Sequence, residues 1–122
     1  MPILYSMSLL MTWLINAVTL IAATYVVPGF HVASFTTALV AAIVIGLINI
    51  FIKPLLVFIT LPINLLTLGL FTFVINGVVL WLATQFVSGL TVDSAMSAIL
   101  AALVISIVST ILSNIAKDLK IG

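Results

Sequence analysis

No Lys, Arg, Asp or Glu occurs between Met1 and Lys53, and none between Lys53 and Asp93. Charge-free runs of this length leave few ways to fold. A soluble domain carries about 25% charged residues, whereas this chain of 122 residues is 4% charged and 66% hydrophobic. So few charges cannot cover the surface of a soluble fold, and lipid is the solvent that removes the difficulty. In hydrocarbon every backbone N–H and C=O has to be paired within the chain, which allows helices or a closed barrel. A barrel requires strands of alternating polarity around a polar lumen. The runs here are apolar on every side, so the expected fold class is an all-α membrane protein with no soluble domain.

The same scarcity limits the chemistry. Cysteine is absent, which excludes disulfides, thiol catalysis and Cys-based zinc sites. One His and two Asp, without Glu, supply little for metal or acid–base chemistry. No nucleophile, base and orienting group can be assembled, so no enzymatic activity and no cofactor are expected. A net charge of +1 does not suggest nucleic acid as a partner. The first apolar run, Ile3 to Val27, lacks a basic start and exceeds the roughly 7–15 residues of a signal-peptide core, so it is read as a retained span.

Shifted by 60 positions, the sequence matches itself without a gap. Pro2-Ile3 aligns with Pro62-Ile63, Ile15-Asn16 with Ile75-Asn76, and Ala23-Thr24 with Ala83-Thr84. Val27, Gly29, Val32 and Ser34 align with Val87, Gly89, Val92 and Ser94. Hydrophobic composition matches Leu with Val by chance, but it does not place Asn, Gly, Ser and Pro in step. The match predicts a duplication.

Each unit reads as a helical hairpin. The expected first helices, Ile3 to Val27 and Ile63 to Val87, are long enough to cross a ~30 Å hydrocarbon core with some tilt. Pro2 and Pro62 suit a first turn, where a missing N–H costs nothing, and Thr60 is a candidate cap for the second copy. Val27-Pro28-Gly29-Phe30 has the pattern of a type II turn, and Val87-Ser88-Gly89-Leu90 keeps the glycine that tolerates positive φ. Ser34 and Ser94 are expected N-caps of return helices over Phe35 to Ile52 and Ala95 to Leu112. Lys53-Pro54 ends the second helix, because the residue before Pro avoids α geometry. The resulting map is a single transmembrane domain of four helices: repeat 1 over about 1–52, an interfacial linker over about 53–61, repeat 2 over about 62–112, and a cytoplasmic tail over about 113–122.

Lys53, Lys117 and Lys120 fall on one side of such a path, and His31 and Asp93 on the other. The positive-inside rule makes the lysine side cytoplasmic, together with both termini. The hairpins are then parallel repeats about an axis along the membrane normal.

Several residues are candidates for function. Asn16 and Asn76 are expected near the bilayer midplane, where an amide serves either as interhelical glue or as a polar constriction on a path; glue is favoured. Ala38, Ala42 and Gly46, repeated as Ala98, Ala102 and Ser106, form small-xxx-small stripes that let helices approach closely, within a chain or between copies in a homo-oligomer. Asn49, Ser109, Thr110, Ser113 and Asn114 make the cytoplasmic ends of the return helices more polar. Lys53 is an orientation anchor or a contact for anionic headgroups of membrane lipids. His31 lies in a loop, where an imidazole can serve as a pH sensor but more often does nothing. Trp13 and Trp81 lie inside helices, away from an interfacial belt, and are expected to pack or face lipid. No small-molecule substrate is evident.

The strings Trp13-Leu14-Ile15-Asn16-Ala17, Val27-Pro28-Gly29-Phe30-His31-Val32, Ile52-Lys53-Pro54-Leu55-Leu56 and Thr60-Leu61-Pro62-Ile63-Asn64-Leu65-Leu66-Thr67-Leu68-Gly69-Leu70-Phe71 resemble phage holin family 4, also described as four-span holin superfamily IV or YvlD-like. Ser88-Gly89-Leu90 departs from the Pro-Gly-Phe that the family often repeats. The resemblance covers nearly the whole chain. It implies four spans, a bacterial inner-membrane location and, through the name, oligomeric lesions of the membrane. It carries over no catalytic residues. Three functions compete: an oligomeric permeabilising protein, a resident envelope or stress-related protein without a lytic role, and a small transporter or channel.

Overall fold

The computed structural model describes the backbone of residues 2–121 and the side chains of residues 8–116. Helix α1 runs Pro2–Val26, strand β1 Phe30–Val32, α2 Phe35–Phe51, α3 Lys53–Ile59, α4 Leu61–Leu66, α5 Phe71–Phe86, β2 Leu90–Val92 and α6 Ala95–Ile121. At 1.5 Å per residue, the 25 residues of α1 reach about 38 Å and the 27 of α6 about 40 Å. Ser8–Val26 and Ala95–Ala116 are long and apolar enough to cross a membrane by themselves. Helices α2 and α3 pass the same test only together, across a 43° bend.

The third helix departs from expectation. Instead of one helix over Ile63 to Val87, the chain forms α4, stops at residues 67–70, and restarts as α5 with 16 residues. The stop is a Schellman closure. Leu68 N–H donates to Leu65 O (3.2 Å) and Gly69 N–H to Asn64 O (2.8 Å), the two bonds that satisfy orphan carbonyls at a helix end. Leu68 takes φ +57° and Gly69 φ +88° to make them. Thr67 then joins both helices, its hydroxyl donating to Ile63 O and accepting from Phe71 N–H.

Within the segment expected as a linker, residues 53–59 are helical, with Pro54 in the first turn of α3, where its ring is tolerated. Thr60 occupies the N-cap position of α4 but does not cap it with its side chain. Its hydroxyl donates back to Leu56 O at 2.6 Å, the one-turn bond that competes with capping. Ser34 and Ser94 do cap, each accepting at 3.1 Å from the backbone N–H three residues on.

The turns after α1 and α5 open into a two-stranded antiparallel ribbon. Phe30 pairs with Val92, His31 with Thr91 and Val32 with Leu90. Ala33 N–H donates to Gly89 O (2.9 Å), and Asp93 N–H to Gly29 O (2.8 Å). Both glycines hold positive φ, and a Cβ on Gly89 would lie 2.9 Å from Ala33 Cβ. Phe30 and Leu90 turn inward and are buried, so the ribbon closes one end of the bundle.

Four helices form a ring below it. α1 packs on α2 and α6, and α5 packs on α6 and α2; among the described residues the diagonal pairs do not meet. The packing is inverted relative to a soluble core. Among the described residues nine of the eighteen buried hydrophobic ones are alanine, while Leu47, Ile50, Leu55, Phe58, Leu100 and Ile107 are exposed on the outside. Water does not tolerate apolar surface on this scale. Lipid does, and small interior residues then provide the cohesion that the hydrophobic effect cannot. The chain is a helical membrane protein.

Close packing of this kind is testable by size. Ala42→Leu places three further carbons where 8% of the residue is exposed, and a loss of about 1–3 kcal/mol is expected. Gly46→Ala is the control, since nothing lies within 4 Å of the added Cβ; it should be neutral or stabilising by up to ~1 kcal/mol. Unfolding in mixed detergent micelles reads both, and equal stability of Ala42→Leu and wild type would refute the packing.

Candidate functional site

Polar groups in the bundle are few, and helical spacing decides which of them meet. Trp13, Asn16, Ala17, Leu20 and Ala23 recur at three- and four-residue steps, so they share the inward stripe of α1. Trp13 donates its indole N–H to Leu39 O of α2 at 2.8 Å. Asn16, half-buried, turns to the other neighbour: its Oδ1 accepts from the Ser109 hydroxyl of α6 at 3.1 Å. Thr19 is fully buried and satisfies itself by donating to Ile15 O. Among the described residues no buried side-chain N or O lacks a partner.

Asn76 has a different setting. Because α5 starts late, Asn76 is its sixth residue, although it lies ten residues before the helix end, as Asn16 does in α1. It borders a cavity of about 130 Å³ shared with Asn49, Lys53 and Ser106. Among the described residues none donates to or accepts from the side chains of Asn49, Lys53 or Asn76. Lys53 has no carboxylate partner there either.

The stripes divide. Ala38, Ala42, Ala98 and Ala102 are buried between helices of this chain. Gly46 is half-buried without a close neighbour, and Ser106 is exposed. Ala41 and Ala101, both fully buried, belong to the same faces and were hidden by the four-residue spacing, being one step from Ala42 and Ala102. Gly77 was likewise unmarked; a Cβ there would come within 3.1 Å of Ile99 Cα in α6. On the ribbon, His31 Nε2 lies 3.5 Å from the Asp93 carboxylate, with both side chains more than half exposed, so the pair contributes little. Trp81 is half exposed on the outer face. Lys117 and Lys120 lie outside the residues whose side chains are described. Among the described residues no three metal-ligating side chains gather.

Adhesion by Asn16 and Ser109 predicts coupling. Asn16→Leu should lower stability by roughly 0.6–1.7 kcal/mol, the range of polar contacts between membrane helices. Ser109→Ala should cost a similar amount, and the double variant no more than the larger single loss. Strictly additive losses in detergent unfolding would mean that the two side chains act separately.

A family model described as "Mycobacterial 4 TMS phage holin, superfamily IV" matches residues 7–111, from within α1 to the later turns of α6. "Uncharacterized membrane protein YvlD" of Bacillus subtilis is 39% identical over 72 residues, which are 59% of this chain and 60% of that one. An uncharacterized protein of Streptomyces coelicolor is 36% identical over 92 residues, 72% of this chain and 69% of its own. The chain therefore spans less than two thirds of the Bacillus relative. No solved structure matches it. The Lys-Pro-Leu-Leu and Leu-Pro-Ile-Asn-Leu-Leu strings, the ring of apolar helices and the family match agree, and the chain belongs to the four-TMS phage holin superfamily IV family.

Proposed function

We propose that this chain is a resident, non-enzymatic protein of the bacterial inner membrane that crosses the bilayer four times as two duplicated, parallel hairpins, with both termini and Lys53 cytoplasmic. The duplication is supported by reciprocity. Residues 31 and 91 pair with each other, and the bonds Ala33–Gly89 and Asp93–Gly29 exchange under the 60-position shift. From His31 to Ala42 and from Thr91 to Ala102, buried, half-buried and exposed positions follow one another in the same order at every step.

The observation that carries the resident reading is the use of the small residues. Ala38, Ala42, Ala98 and Ala102 are consumed in packing one chain, and Asn16 is held by Ser109. A single bundle thus spends on its own cohesion most of the small and polar groups that a path or a lesion would need, with Asn76 left unpaired among the described residues. Membrane lipids are its standing partners.

A second reading has one observation of its own. Gly46 leaves space beside α2 at the lysine end, where a neighbouring helix could approach in a homo-oligomer. Permeabilisation in this reading belongs to an assembly of copies.

Two measurements test these readings. During induced expression in a bacterial host, the membrane potential should hold and growth should continue; abrupt depolarisation with lysis would replace the resident reading with the permeabilising one. For orientation, cysteines introduced singly at Ser34 or Ser94 should react with an impermeant thiol reagent added outside, and one at Ser113 should not. Because the chain has no native Cys, the reverse pattern would invert the topology without ambiguity.

A further inference from the structure

We infer that the Lys53 corner of the bundle is a binding site for one anionic phospholipid, with the phosphate seated among Lys53, Asn49 and Asn76 and an acyl chain lying along α3. The inference rests on the four-span reading, which sets this corner at the cytoplasmic interface.

The two halves of the molecule differ here, and the difference points to a ligand. Under the 60-position shift, Asn16 corresponds to Asn76 and Asn49 to Ser109. In one half the amide and the hydroxyl hydrogen-bond to each other. In the other, Asn76 and Asn49 border a common cavity and have no partner among the described residues. Lys53, which replaces the Ser113 of the other half, adds a cation to the same cavity. Two primary amides and an ammonium offer only N–H donors of positive character and amide carbonyls, a set that suits an oxyanion. The cavity of about 130 Å³ is well above the ~30 Å³ share of one water.

What makes the ligand a lipid is the adjoining surface. Asn49 and Lys53 also border a groove of about 470 Å³ whose remaining walls are Pro54, Val57, Phe58 and Leu61. Its lining away from the polar corner is apolar, and a free anion gains nothing from it. A phospholipid uses both parts, with its charge at Lys53 and its chain against α3. The 43° bend between α2 and α3 lies where the two parts meet, with Asn49 before it and Lys53 to Leu61 after it.

The test uses the purified full chain in neutral detergent, where membrane orientation plays no part, so failure here leaves the four-span reading standing. Lipid retention is measured by native mass spectrometry with phosphatidylglycerol and with phosphatidylcholine. Phosphatidylglycerol should be retained preferentially, and Lys53→Ala should weaken its binding about fivefold, the share of one basic residue near an anionic surface. Lys53→Arg should keep the preference, and Lys120→Ala should leave binding unchanged. Val57→Ser, which makes the groove more polar without adding a charge beside Lys53, should also lower retention. Equal retention of the two lipids would overturn the site. So would equal losses in Lys53→Ala and Lys120→Ala, which would reduce the effect to net charge. Full competition by inorganic phosphate at the lipid's own concentration would assign the pocket to a free anion and overturn the lipid.

Discussion

The bundle depends on how closely its helix backbones approach. In lipid the outer surface of a helix gains nothing by leaving its solvent, so cohesion has to come from dispersion and from polar contacts. Both fall off steeply with distance, and both require small residues at the seams. Ala17, Ala41, Ala83 and Ala101 are fully buried at those seams, and Gly77 admits Ile99 to a distance that a Cβ would forbid. Among the described residues the hydrogen bonds between helices of the ring, Trp13 to Leu39 and Ser109 to Asn16, follow from the same proximity. Bulky apolar side chains are displaced to the outside, where acyl chains surround them.

The ribbon solves a second problem created by this packing. Turns between membrane helices leave backbone groups without helical partners. Here each turn supplies partners for the other: Gly29 O and Gly89 O accept from the opposite strand. The ribbon also ties the hairpins at one end, leaving the opposite end to α3 and α4. One end of the molecule is therefore held by backbone pairing between the halves, and the other by side-chain contact.

Much of this was legible in the amino-acid sequence. Gly29 and Gly89 marked the two turns, and Ser34 and Ser94 marked the starts of α2 and α6, because turn and cap chemistry is local. Alanine at four-residue steps pointed to the seams, since small residues at helical spacing have few other uses in lipid. The ribbon was not legible, because strands of three residues have no periodicity to detect and their partners lie sixty positions away. Thr60 looked like a cap, but a threonine hydroxyl reaches its own preceding turn as readily. The pairing of Asn16 with Ser109 joins residues 93 positions apart, and only the ring order of the helices brings them together. The break before α5 was masked by the 60-position match: Ser8, Leu9 and Leu10 continue a helix where Leu68, Gly69 and Leu70 interrupt one.

That break shortens one staff of the ring. With 16 residues, α5 reaches about 24 Å, several ångströms less than a typical ~30 Å hydrocarbon core. A short apolar segment is accommodated when the surrounding leaflet thins, at a cost of fractions of a kcal/mol per Å of hydrophobic mismatch. Set as a span beside α1 and α6, α5 would draw headgroups and water inward on the lysine side alone. The molecule would then dent one leaflet and leave the other flat, an asymmetry that favours some bilayers over others by their thickness.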